Sequence, residues 1–153
     1  MRMAFQEYRG QDAAEKLDRR RCGYWDGQSS PGDALLVLDV VAEEMAAAGY
    51  AEADRLGLRL ALEEAIVNAI RHGNRGDPSR RVRVRFQVGP ERVLAEVEDE
   101  GRGFYPELVP DPTAPENRDK ECGRGLLLMR HYTTWLRYNR LGNCVTLCKE
   151  RSA

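Results

Sequence analysis

At 153 residues the chain is sized for one ordinary globular domain, 1–153, which buries roughly two-thirds of its unfolded surface and needs no staple to hold a core. Its 24 Lys and Arg nearly cancel its 25 Asp and Glu, so no summed field draws it to nucleic acid or to an anionic membrane. The longest apolar stretch, Ala34 to Ala42, is broken by Asp39 and falls far short of the roughly 20 residues of a spanning helix.

Residues 1–28 carry the least pattern, with one strand expected around Arg20 to Trp25. Met1 to Arg21 is charged throughout and lacks the apolar centre of a secretory signal, which makes the cytoplasm the expected compartment. The turn cluster Ser29-Ser30-Pro31-Gly32-Asp33 precedes a helical run from Ala34 to Ala48 that stops at Gly49. A second helix begins near Glu52, carries Leu58, Leu62, Ala65, Ile66, Ala69 and Ile70 at helical spacing, and ends at His72-Gly73-Asn74.

Val82, Val84 and Phe86 then alternate with Arg83 and Arg85, and after a Gly89-Pro90 turn Val93, Ala95 and Val97 alternate with Leu94, Glu96 and Glu98. Both runs have the period of a strand, and their short connection predicts a hairpin. Between Phe104 and Cys122 the period stops and Pro106, Pro110, Pro112 and Pro115 accumulate, which predicts a long exposed loop. A helix opens after Gly123-Arg124-Gly125 with Leu126, Leu127 and Met129. Trp135, Arg137 and Asn139, a Leu141-Gly142-Asn143 turn and Cys144 to Lys149 close the chain as a last hairpin.

The cysteines, Cys22, Cys122, Cys144 and Cys148, lack metal-ligand spacing and read as small buried hydrophobes, with Cys144 and Cys148 on one face of a strand.

Three groups of residues can carry chemistry. Glu64 and Asn68 share one stripe of the second helix, roughly opposite Leu62 and Ile66, where a solvated face is the ordinary reading. Asp99-Glu100-Gly101-Arg102-Gly103-Phe104 puts a carboxylate at a strand end beside two residues without side chains, which suits either a tight turn or close approach to a flat ligand. Gly123-Arg124-Gly125-Leu126 opens a helix, whose free N–H groups and dipole favour an anion such as phosphate. Neither GxxxxGK[ST] nor a GxGxxG between strand and helix occurs, so the P-loop and Rossmann arrangements do not apply.

In order and spacing the three groups resemble the Bergerat, or GHKL, ATP-binding superfamily. Glu64-Ala65-Ile66-Val67-Asn68-Ala69-Ile70-Arg71-His72-Gly73-Asn74 is similar to its N box, Asp99 to Phe104 to its first glycine box and Gly123 to Leu126 to its second. The short chain and the His-Gly-Asn end of the N box further resemble the bacterial anti-sigma-factor serine/threonine kinases.

The resemblance implies an α+β two-layer sandwich, a mostly antiparallel sheet with helices on one face, and an ATP lid over 104–122. It implies that Asn68 holds Mg²⁺ and that Asp99 accepts a hydrogen bond from the adenine amino group. Gly101 and Gly103 would leave room for the adenosine, while Gly123, Gly125 and Leu126 would cradle the phosphates. Glu64 would be the general base in phosphoryl transfer to a protein hydroxyl.

His72 either caps and packs the helix end or touches the phosphate side, and Arg124 and Lys120 are either solvated charges or contacts to phosphate or partner. One position departs from the pattern: where relatives often carry threonine after the glycine of the final hairpin, this chain has Asn143. The implied partners are a STAS-domain anti-anti-sigma factor, a sigma factor and a second copy in a homodimer. A non-catalytic switch, in which ATP only shapes a partner-binding surface, is the alternative.

Overall fold

A computed structural model describes residues 22–110, 114 and 123–152. The order is β1 (Cys22–Gln28), α1 (Pro31–Ala47), α2 (Glu52–Asn68), β2 (Arg81–Val88), β3 (Arg92–Asp99), α3 (Arg124–Tyr132), β4 (Trp135–Tyr138) and β5 (Cys144–Glu150). The five strands form one sheet in the order β1-β2-β3-β5-β4. Every neighbouring pair is antiparallel. The two-layer α+β architecture expected from the resemblance is the one observed.

The alternation in β2 and β3 sets the layers. Val82, Val84, Phe86 and Val88 pair with Asp99, Val97, Ala95 and Val93, and all eight are buried. They form the core side together with Val145 and Leu147 of β5. Against this side α1 packs Ala34, Val37, Leu38, Val41 and Met45, and α2 packs Leu58, Ala61, Leu62, Ala65 and Ile66, the i, i+3, i+4, i+7 stripes of amphipathic helices. α1 stops at Gly49 as expected, and the Tyr50 N–H reaches back to the Met45 carbonyl at 3.0 Å.

The opposite side of the sheet carries the alternate residues, and its charges pair with one another. Arg83 lies 3.0 Å from Glu100 and 3.7 Å from Asp26, and Arg85 lies 3.0 Å from Glu98. Cys144 and Cys148 share this side, as the strand period requires; Cys148 is buried and Cys144 half-buried, both as free thiols. The arginine and glutamate rows therefore solvate a face that no helix of the described chain covers.

Three expectations need adjustment. The described part of the first strand, Cys22–Gln28, runs three residues past Trp25, and residues 1–21, with the expected start at Arg20, lie outside the described residues. The second helix is α-helical only to Asn68 and then widens into a π-helical turn over Ala69–Gly73, where the Asn74 N–H bonds the Ala69 carbonyl at 2.8 Å. The Pro-rich stretch contains one short 3₁₀ turn at Pro106–Leu108, because the fixed φ of proline suits the first position of a turn. Residues 111–113 and 115–122 of the expected lid, Lys120 included, lie outside the described residues.

Candidate functional site

The site lies where α2 runs out, β3 ends and α3 begins. Glu64 is half-buried in α2 and its carboxylate packs so closely on Gly125 that a Cβ there would overlap Glu64 Oε1. The stripe that reads as a solvated helix face therefore turns toward the opening of α3. Asn68, one turn on, is the last residue of α2 and also half-buried.

The π-helical turn brings the N box onto the first glycine box. Widening the last turn moves Gly73 against Asp99, where a Cβ on Gly73 would overlap the carboxyl group. A Cβ on Gly101 would overlap both the Gly73 carbonyl and Asp99 Oδ1. Two missing side chains thus leave room for one carboxylate, and the Gly101 N–H donates to Asp99 Oδ1 at 2.7 Å. A π-turn inserted into an α-helix is itself a common mark of functional sites.

Asp99 is only 9% exposed although it carries a charge. Burial pushes its carboxyl above the ordinary carboxylate range, Glu98 pushes the same way, and the Gly101 N–H and the Arg80 charge oppose the shift. A desolvated carboxylate with spare acceptor capacity is suited to an N–H donor from a ligand.

Beyond Asp99 the loop locks onto the last hairpin. Gly103 has φ of 73° and Gly142 φ of 80°, and a Cβ on either would overlap the carbonyl oxygen of Leu141 or Phe104 respectively. Both positions need glycine twice over, for the left-handed backbone and for the contact. Phe104 meets Tyr138 of β4 edge to face, with ring centroids 4.9 Å apart. Burial, with help from Asp99 and Glu64 and against Arg130, pushes the Tyr138 phenol up to about 12. Tyr138 thus stays a neutral donor beside the site.

At the other end, Gly123 has φ of 86° and, having no side chain, supplies no cap to α3. The first N–H groups of the helix have no intrahelical acceptors, so Gly125 and Leu126 present donors at the positive end of the dipole. Leu126 packs its side chain on the core while Arg124 is exposed. His72 is exposed on the π-helical turn, and its side chain makes no hydrogen bond or ion pair among the described residues.

The structure therefore draws together Glu64 with Gly125 and Asp99 with Gly101, and sets the three boxes around one end of the sheet. The family model of the histidine kinase-like ATPase domain matches residues 28–149. The chain belongs to this family. Membership makes ATP the ligand, and the cradle agrees with it: a desolvated acceptor at one end, uncapped helix donors at the other, and glycines where side chains would intrude. No curated protein sequence matches the chain. No helix among the described residues is long and apolar enough to cross a membrane.

Several site residues escaped the sequence reading. Gly73 read as a helix stop, although it forms the floor beneath Asp99. Tyr138 went unseen because Trp135, Arg137 and Asn139 carry the visible period of β4, while Leu136 and Tyr138 occupy the core side. Asn143 does not stand free for a base: its Nδ2 donates to the Asp99 carbonyl at 2.9 Å and its Oδ1 accepts from Asn139 Nδ2 at 2.8 Å.

Proposed function

We propose that this ATP-binding domain is a Mg²⁺-dependent serine/threonine protein kinase of the anti-sigma type, which phosphorylates a STAS-domain anti-anti-sigma factor and otherwise binds a sigma factor. The observation that supports it best is the contact of the Glu64 carboxylate with Gly125. A base at the opening of α3 stands beside the donors suited to the phosphates, where an attacking hydroxyl must be deprotonated.

Asn68 would offer its amide oxygen to Mg²⁺, which when bound supplies positive charge to the phosphates. Asp99 would accept from the adenine amino group and fix the base. Gly101 and Gly103 would lie along the adenosine, and the N–H groups of Gly123, Gly125 and Leu126 would hold the phosphate oxygens. Glu64 would take the hydroxyl proton of the acceptor serine or threonine while that hydroxyl oxygen bonds to the γ-phosphorus and the bond from the γ-phosphorus to the β-phosphate oxygen breaks, leaving ADP. Arg124, exposed at the same helix start, would meet phosphate or partner, and His72 would close the N box. The protein would act in the cytoplasm as a homodimer.

The test is transfer of labelled γ-phosphate to a STAS-domain partner, run beside ATP binding. Glu64→Gln keeps shape but removes the base, so binding should persist while transfer falls by roughly 10²- to 10⁴-fold. Asn68→Ala should weaken Mg²⁺-dependent binding and transfer together. Tight ATP and partner binding with no transfer by the wild type would make the protein a non-catalytic switch instead.

A further inference from the structure

Asp99 is held by more than its own loop. Asn143 receives the Asp99 N–H on its backbone carbonyl at 2.9 Å and returns Nδ2 to the Asp99 carbonyl at 2.9 Å. From the other side, Asn74 Oδ1 accepts the Glu100 N–H at 2.9 Å. Both peptide groups flanking the Asp99 Cα are therefore gripped by asparagines, one from the end of the π-helical turn and one from the final hairpin.

The orientation of each amide is fixed by its partners. Glu100 N–H is a donor and requires an oxygen from Asn74, while the Arg81 carbonyl at 2.9 Å requires its nitrogen. Asn74 is wholly buried, and its Nδ2 also reaches Ser29 Oγ at 3.3 Å, so the clamp is anchored to β2 and to the end of β1. Asn143 must likewise turn Nδ2 to the Asp99 carbonyl, which leaves Oδ1 for Asn139. Asn139 Oδ1 in turn accepts the N–H groups of Gly142, Asn143 and Cys144 at 2.7, 3.1 and 3.3 Å, which holds the hairpin turn still.

We propose that Asn74 and Asn143 are positioning residues that aim the Asp99 carboxylate at the base, the inference resting on ATP as the ligand and Asp99 as its base acceptor. The asparagine that replaces the usual threonine then acts through the Asp99 backbone. A carboxylate bonded to its own Gly101 N–H can turn about its χ angles only as far as the flanking peptides permit. Fixing those peptides sets where its second oxygen points.

The experiment is a double-mutant cycle on ATP affinity, measured by calorimetry with Mg²⁺, using wild type, Asp99→Asn, Asn143→Ala and the double variant. Asn143→Ala should weaken ATP binding by roughly 3- to 10-fold, the range that one neutral hydrogen bond carries. In the Asp99→Asn background the same change should cost less than about 2-fold, because its target is already lost. A role confined to hairpin stability would instead give equal losses in both backgrounds, and that additivity would overturn the proposal. Asn74→Ala should behave as Asn143→Ala does, but Asn74 is buried, so the half-buried Asn143 carries the decision should that variant not fold. If the wild type binds no ATP, the ligand reading fails and takes the proposal with it. If it binds ATP and Asp99→Asn binds equally well, the ligand reading stands and both the Asp99 assignment and the proposal fail.

Discussion

Gly73 offers a way to disturb the base end of the site while leaving the scaffold alone. It is not among the glycines with positive φ, so alanine fits its backbone without strain. The added methyl would fall on the carboxyl group of Asp99, which must rotate away and give up the Gly101 N–H bond of 2.7 Å. Hydrogen bonds to a charged group are worth about 1.5–3 kcal/mol. With Asp99 as the proposed acceptor of the adenine amino group, moving its carboxylate should therefore weaken ATP binding by roughly 10- to 150-fold.

The stability of the apoprotein should respond much less. Burial already holds Asp99 above the ordinary carboxylate range, so its ionised form is a burden to the fold at neutral pH, and turning toward water offsets part of the lost hydrogen bond. The melting temperature should fall by no more than about 3 °C, which is near 1 kcal/mol for a domain of this size. Calorimetric titration with Mg²⁺ and ATP, paired with thermal melts, separates the two effects. Undiminished affinity in Gly73→Ala would refute the reasoning, because the methyl and a base-binding carboxylate need the same space.

Two further perturbations address the scaffold. Gly103→Ala and Gly142→Ala each combine a left-handed backbone, costing about 1–2 kcal/mol, with overlap on a backbone carbonyl that cannot swing aside. Each should lower the melting temperature by roughly 4–8 °C, and unchanged melting would show that the loop and hairpin do not interlock. Buried Asp54 accepts Ser152 N–H at 2.9 Å and Ser152 Oγ at 2.7 Å and faces Lys149 Nζ at 3.3 Å. Burial would raise its carboxyl, but the Ser152 bonds and the Lys149 ammonium outweigh it and hold the group below its ordinary value. The unfolded chain then binds the proton first, so the stabilisation is complete above the ordinary aspartate range and is lost as pH falls through the folded value. Urea melts of wild type and Asp54→Asn should differ by about 1.5–3 kcal/mol at pH 6, and the gap should shrink progressively as pH falls below the ordinary aspartate range; a constant gap would contradict the linkage.

The parts of the fold that follow from local period were legible. Val82 to Phe86 and Val93 to Val97 announce a hairpin because side chains alternate across a strand, and Leu58 to Ile70 announce a buried helix stripe. What the sequence hid depends on residues far apart along the chain. Arg71-His72-Gly73 looks like an ordinary helix end; the shift to π-helical bonding places Gly73 on Asp99, a contact no local rule contains. Asn74 likewise resembles a C-terminal cap, yet it is a buried pin joining Ser29, Arg81 and Glu100. Glu64 was legible as a motif residue and illegible as a neighbour, since nothing in its helix indicates that Gly125 will pack on it.

The register of β3 explains why Asp99 is both buried and useful. Val93, Ala95 and Val97 face the core, and Asp99 is the next residue in phase, so the strand delivers a carboxylate to the side on which the helices lie. A slip of one residue would exchange it for Glu98 or Glu100, whose carboxylates stand among the arginines of the opposite face. There they gain only the small energy of ion pairs that remain open to solvent in part. Desolvation is thus a direct consequence of strand phase, and the glycines at 73 and 101 leave room for the carboxylate at that buried end. The same phase puts Tyr138 on the site side of β4 and Arg137 on the other, where it lies over the Trp135 ring at 4.9 Å. Alternation along the sheet accordingly separates ligand chemistry on one face from surface ion pairing on the other, and the N box helix acquires its role by lying across the end of the first.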